Sequence, residues 1–202
     1  VAAQRKKTFM AAAAVTVFVC SFWYWKNFSD KGSIFIINGG ESQEPVIAVC
    51  PPGDRSALVV NTGTRQAARP LVNLLSKNGV DSVDAVVLCE SRKDFCAGSR
   101  YVLTGTAVSS IVLPEKYKRS WFSKSAVETA SNSGITVDFI KGEGNRQFDK
   151  GGLRCSFEET PDTSPVYNIE YGQSVERLKI RILGSVSGPR TVEINAPGRD
   201  KI

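Results

Sequence analysis

Apolar positions along this chain change their period several times, and each change predicts a different element. Phe9–Trp25 is apolar on every face and carries no charge over 17 residues, at the lower limit for a helix that crosses a bilayer. The pattern then shortens. "SIFIING" (Ser33–Gly39), "PVIAVC" (Pro45–Cys50) and "ALVVNTG" (Ala57–Gly63) are brief apolar runs, and Pro51, Pro52 and Gly53 punctuate the second gap. They predict three strands of an antiparallel meander. Next, "RQAARPLVNLLSKNG" sets Ala67, Leu71, Leu74 and Leu75 at helical spacing. Gly79 is its stop, and Pro70 lies towards its start, where a helix tolerates proline best.

"VDAVVLC" (Val83–Cys89) is almost continuously apolar, which predicts a strand buried on both faces. A short helix (Ser99–Gly105), a strand (Val108–Pro114), a helix ending at Gly134 and a strand (Ile135–Lys141) follow. "KGEGNRQFDKGG" (Lys141–Gly152) sets glycines among charges and is read as a flexible hairpin connection. Three further strands come after it, within Gly152–Thr160, Val166–Gly172 and Arg177–Ser185, with a last one in "RTVEINAP". A meander, then β-helix-β-helix-β, then more hairpin-linked strands predicts a layered α+β sandwich, not a doubly wound sheet. Residues 32–202 form that domain, and residues 1–31 hold the membrane helix with its flanks.

Charge supports the membrane reading. Arg5, Lys6 and Lys7 precede the apolar run, and Trp23, Tyr24 and Trp25 close it, as basic flanks and aromatic belts do at bilayer interfaces. A cleaved signal peptide is the rival, but its cleavage site needs small residues. The basic flank places the N-terminus in the cytoplasm and the domain outside. The chain starts at Val1 and is read as part of a longer protein. Its net charge is +6, and outside the basic flank 23 basic residues face 20 acidic ones, too mild an excess to imply nucleic acid by itself.

Candidate chemistry concentrates after the Val83–Cys89 strand, in "ESRKDFCAG" (Glu90–Gly98). The chain has no histidine, and its five cysteines form no CxxC pair, so no zinc set can be completed from His and Cys alone. Cys89 and Cys96 are read either as buried thiols or as a disulfide pair.

The order of elements and several motifs together resemble the metallo-β-lactamase fold, most of all the C-terminal soluble domain of ComEC-type competence proteins, the channels for transforming DNA. "VVNTG" (Val59–Gly63) matches a "LIDGG"-like turn, with Asn61 in place of its Asp. "RPLVNLLSKNGV" (Arg69–Val80) matches the helix that follows. "DAVVLCESRKDFCAG" (Asp84–Gly98) matches "DxLVLTHxDxDHxGG". "GGLRCSFEETP", "YNIEYG" and "IRILGS" correspond to later strands. The resemblance implies an αββα sandwich, incomplete in this chain, after a membrane helix.

It also implies a metal site that has been lost. At the ligand positions stand Glu90, Arg92, Asp94 and Phe95, then Ser185 where a bridging Asp is expected and Gly198 in "PGRD" where a His is expected. Only Asp94 is retained, so the ancestral zinc or manganese is expected to be absent, with no cofactor, no catalytic residue and no small-molecule substrate. A relocated site using Glu90, Asp94 and a cysteine would still lack imidazole. The resemblance further implies a bacterial inner-membrane protein, with the domain on the extracytoplasmic side and the rest of a channel chain as partner.

"PEKYKRSWFSK" (Pro114–Lys124) mixes Lys116, Lys118, Arg119 and Lys124 with Tyr117, Trp121 and Phe122. Cations and aromatics together can hold single-stranded DNA through phosphate charge and base stacking. The plainer reading is a solvated basic face with a core-facing aromatic. Cys96 as a nucleophile lacks any histidine base. Three functions are compatible with these residues. One is a non-catalytic domain of a competence-type DNA transporter, another a metal-dependent phosphodiesterase or nuclease, and the third a protein-interaction module.

Overall fold

The computed structural model describes residues 32–38, 44–51, 53–140, 146–150, 152–160, 163–172, 178–183 and 191–195. The expected membrane helix, Phe9–Trp25, lies outside them. No helix among the described residues is long and apolar enough to cross a membrane.

The first sheet has six strands in sequence order: β1 (Ser33–Asn38), β2 (Pro45–Cys50), β3 (Ser56–Val60), β4 (Ser82–Val87), β5 (Ala107–Pro114) and β6 (Thr136–Ile140). β1, β2 and β3 pair antiparallel, while β3 to β6 pair parallel. Parallel neighbours need crossover connections. α1 (Arg65–Lys77), then α2 (Lys93–Cys96) with α3 (Ser99–Gly105), then α4 (Trp121–Asn132) supply them. Successive crossovers that advance in one direction with one hand stack their helices on the same face. Accordingly α1 packs on α3, and α3 on α4.

The other face of this sheet meets a second sheet, a five-stranded antiparallel meander of β7 (Arg146–Lys150), β8 (Leu153–Thr160), β9 (Thr163–Tyr171), β10 (Leu178–Leu183) and β11 (Thr191–Asn195). β7 falls inside the stretch expected to be a flexible connection. It pairs along its whole length with β8, and Gly152, at φ 82°, follows it. Backbone pairing made this strand although its side-chain pattern did not announce it.

Alternation in β10 turns Leu178, Ile180 and Ile182 inward and Lys179 and Arg181 outward. The outer face carries the ion pairs Lys179–Glu170 (3.2 Å), Arg154–Glu170 (3.7 Å) and Arg181–Glu193 (3.7 Å). The architecture is thus helices, sheet, sheet. The fourth, helical layer of the expected αββα sandwich is not found among the described residues.

Strand β3 is buried at every position, as is β2 beyond Pro45. Both long helices end the same way. Gly79 and Gly134 take φ 71°, which lets Val80 N–H reach Leu75 O (3.1 Å) and Ile135 N–H reach Ala130 O (2.9 Å). Of the four apolar residues read from the α1 spacing, Ala67, Leu71 and Leu75 are buried and Leu74 is half-buried.

A polar pin joins the two sheets. Tyr171 Oη on β9 donates to Asp84 Oδ2 on β4 at 2.5 Å, and Ser56 Oγ donates to the same oxygen at 2.8 Å. Tyr171→Phe leaves that half-buried carboxylate one donor short. It is expected to lower unfolding free energy by about 1–3 kcal/mol in denaturant titration. An unchanged midpoint would show that the pin contributes nothing.

Candidate functional site

β3, β4 and β5 run parallel, so their C-terminal ends open on one edge, where ligands gather in open α/β sheets. Asn61 organises that edge. It is fully buried and left-handed at φ 59°, a conformation Asn tolerates better than most residues. Its N–H donates to Val87 O (2.7 Å), its Oδ1 accepts from Cys89 N–H (3.1 Å), and its Nδ2 donates to Pro45 O (3.4 Å). One side chain thereby ties the ends of β3 and β4 to the start of β2.

The Glu90–Gly98 segment is folded back onto this edge. It contains the one-turn helix α2. Thr62 N–H and Thr62 Oγ1 both donate to Phe95 O at 2.9 Å, and Gly98 N–H donates to Gly63 O at 2.8 Å. Gly98 is required by closeness: a Cβ there would sit 2.4 Å from Thr62 O and 2.7 Å from Ala68 Cβ. Ser91 Oγ accepts from Ser123 N–H (3.0 Å), which fastens the segment to the first turn of α4.

The structure brings together four of the predicted positions. Phe95 is fully buried, so the place expected to hold an imidazole is an apolar plug. The Arg92 guanidinium lies over that ring, 5.6 Å from its centroid. Its Nη1 is 3.7 Å from Glu90 and 4.0 Å from Glu44, and its Nη2 is 3.5 Å from Asp94. Glu44, just before β2, belongs to this cluster and was not singled out from the sequence. Nothing local marked it, because it joins only through the β2–β4 arrangement. Ser185 and Gly198 lie outside the described residues.

Tyr167 brings the second sheet to the same mouth. Burial raises its hydroxyl above the ordinary phenol range, and Cys89, Tyr117, Glu90 and a hydrogen bond to Tyr117 add to that. Burial also pushes the Cys96 thiol up to about 12, against a lowering backbone hydrogen bond from Arg92 and with a further rise from Glu90. Its Sγ donates to Glu90 O at 2.9 Å. Cys89 and Cys96 are both buried free thiols, not a disulfide. A buried thiol held protonated is no nucleophile at neutral pH, although Arg92 and Lys93 stand nearby in sequence.

These donors do not fit a catalytic zinc or manganese. Such a site holds its ion with at least three protein ligands. Among the described residues no three His, Cys, Asp or Glu side chains are grouped to do so. A guanidinium already faces the carboxylates of Glu44, Glu90 and Asp94.

Beside the mouth lies the basic and aromatic stretch. Lys116, Lys118, Arg119 and Lys124 are all exposed. Lys116 Nζ sits 4.9 Å from the centroid of the Tyr117 ring, Lys118 Nζ lies 5.1 Å from that of Phe139, and Lys124 pairs with Glu128 at 3.8 Å. Trp121, expected on the plainer reading to face the core, is 80% exposed. It is the first residue of α4, whose inward face is made by Ser123, Ala126 and Ala130.

No family model matches the chain, and no curated protein matches it. Solved metallo-beta-lactamases show a partial likeness. One from Cronobacter sakazakii with a HARLDQ motif has a TM-score of 0.49 at 11% identity, over 83% of this chain and 64% of that one. A FEZ-1 variant from Legionella gormanii has 0.46 at 17%, over 70% and 57%. The Rm3 metallo-beta-lactamase has 0.46 at 11%, over 78% and 60%. The chain spans less than two thirds of the length of each, and no residue role is transferred from them. The mixed α/β, two-sheet architecture expected from the sequence is the one observed, on the sheet order and register described above.

Proposed function

We propose that this chain is a non-catalytic, metallo-β-lactamase-like domain of a ComEC-type DNA-transport protein, anchored in the bacterial inner membrane by Phe9–Trp25 and facing the extracytoplasmic side. It contacts the transported single strand through the entry of α4. The single observation that carries the DNA contact is Trp121, an 80% exposed indole among four exposed cations. A large exposed aromatic within a basic stretch is a stacking platform for bases. It adjoins the edge where an enzyme of this architecture would work, and there the residues hold one another in place of a substrate.

The test uses the 202-residue chain in detergent, titrated with single-stranded DNA at two salt concentrations. Binding is weak, indifferent to sequence and steeply salt-dependent. Trp121→Ala costs about 1–3 kcal/mol of binding and leaves the melting temperature unchanged. Replacing Lys116, Lys118 and Arg119 together by Ala reduces the salt slope by up to about three phosphate equivalents. If no binding is found at low salt, the DNA role fails and a protein partner becomes the better reading. If single-stranded DNA is cleaved, with the activity lost in Asp94→Ala, the non-catalytic reading fails instead.

A further inference from the structure

Three carboxylates from two separated segments converge on one guanidinium at the mouth of the sandwich. Glu44 precedes β2, while Glu90 and Asp94 follow β4. The side chains of Glu44 and Glu90 are 11% and 9% exposed, and that of Asp94 is 25% exposed. Negative charge drawn this far out of water needs a nearby cation.

We propose that Arg92 is that cation: a covalently attached charge that does the organising work a metal ion does in a metal site, so that the mouth assembles without metal. Its position suits the task. Nη1 lies 3.7 Å from Glu90 and 4.0 Å from Glu44, Nη2 lies 3.5 Å from Asp94, and the guanidinium carbon lies 5.6 Å from the centre of the Phe95 ring. A lysine ammonium is a point charge on a flexible stem and does not reproduce the planar guanidinium fork. Phe95 then has a role beyond filling space, since its buried ring is the floor under the guanidinium.

The experiment is a set of melting curves on the full chain. Arg92→Met keeps the stem and removes the charge, and is expected to lower the melting temperature by about 5–10 °C. Arg92→Lys recovers less than half of that loss. Glu44→Gln with Glu90→Gln lowers the melting temperature when Arg92 is present, yet raises it in the Arg92→Met background. This reversal of sign is what a purely packing role of the arginine would not produce. If Arg92→Met does not fold, recovery of folding by the two Gln substitutions supports the proposal equally, and failure to recover overturns it. Additive effects overturn it as well. In the unaltered chain, millimolar zinc or manganese, or a chelator, moves the midpoint by less than about 1 °C; a shift of several degrees would show that a metal holds the mouth instead.

Discussion

Phe95→Ala is expected to cost about 3–5 kcal/mol of unfolding free energy, among the largest single-residue effects in this domain. Phe95 heads the fully buried side chains by volume among the described residues. The space it leaves cannot close easily. Its carbonyl is held by both Thr62 groups, and Gly98, three residues on, already packs against Thr62 O and Ala68 with no room to move inward. The cost is therefore the lost transfer energy of the ring together with a persistent cavity. Phe95→Leu refills most of the volume and is expected to cost less than half as much. Denaturant unfolding of the three proteins decides it. A loss below about 1 kcal/mol for the alanine variant would mean that the segment collapses freely and is no plug.

Alkaline pH is expected to weaken the fold before it affects most domains of this size. Burial raises the thiols of Cys50, Cys96 and Cys155. Burial, and then the hydrogen bond to Asp84, raises Tyr171. Each group is neutral when protonated and has a folded pKa above its unfolded one. Its stabilising share is complete below the unfolded pKa and is lost as pH rises towards the folded value. For cysteine the loss starts near pH 8.5 and runs, for Cys96, to about 12. Each such thiol removes roughly 1–1.5 kcal/mol per pH unit. Cys96 and Cys155 lose their stabilising shares together as pH rises through that range. Unfolding free energies measured at intervals across that range should fall steeply, and Cys96→Ala should flatten the slope by one thiol's share, roughly 1–1.5 kcal/mol per pH unit. A pH-independent stability would overturn the assignment of these thiols to the core.

Much of the fold was legible because period and punctuation agree with the tertiary arrangement. The nearly continuous apolar run at Val83–Cys89 holds an interior strand, Ser82–Val87, and the glycines after α1 and α4 stop their helices as read. β7 was not legible, since Arg146–Lys150 carries a charged, mixed pattern and becomes a strand only because β8 is there to pair with it. Trp121 was ambiguous for a related reason. A first-turn aromatic can face either way, and the rotation of α4 is settled by Ser123, Ala126 and Ala130 packing inward.

At the mouth the division has one physical cause. Sequence by itself determined which side chains are available: no imidazole anywhere, and Glu90, Arg92, Asp94 and Phe95 together in one short segment after β4. That is chemistry, and it is readable one residue at a time. Only the tertiary structure decided how those residues compensate one another. Glu44 lies 46 positions before Glu90 and 48 before Arg92, and meets them because β2 and β4 flank β3 in one sheet. Charge compensation depends on distance in space, and the chain's path between two strands is not written in the local pattern of either.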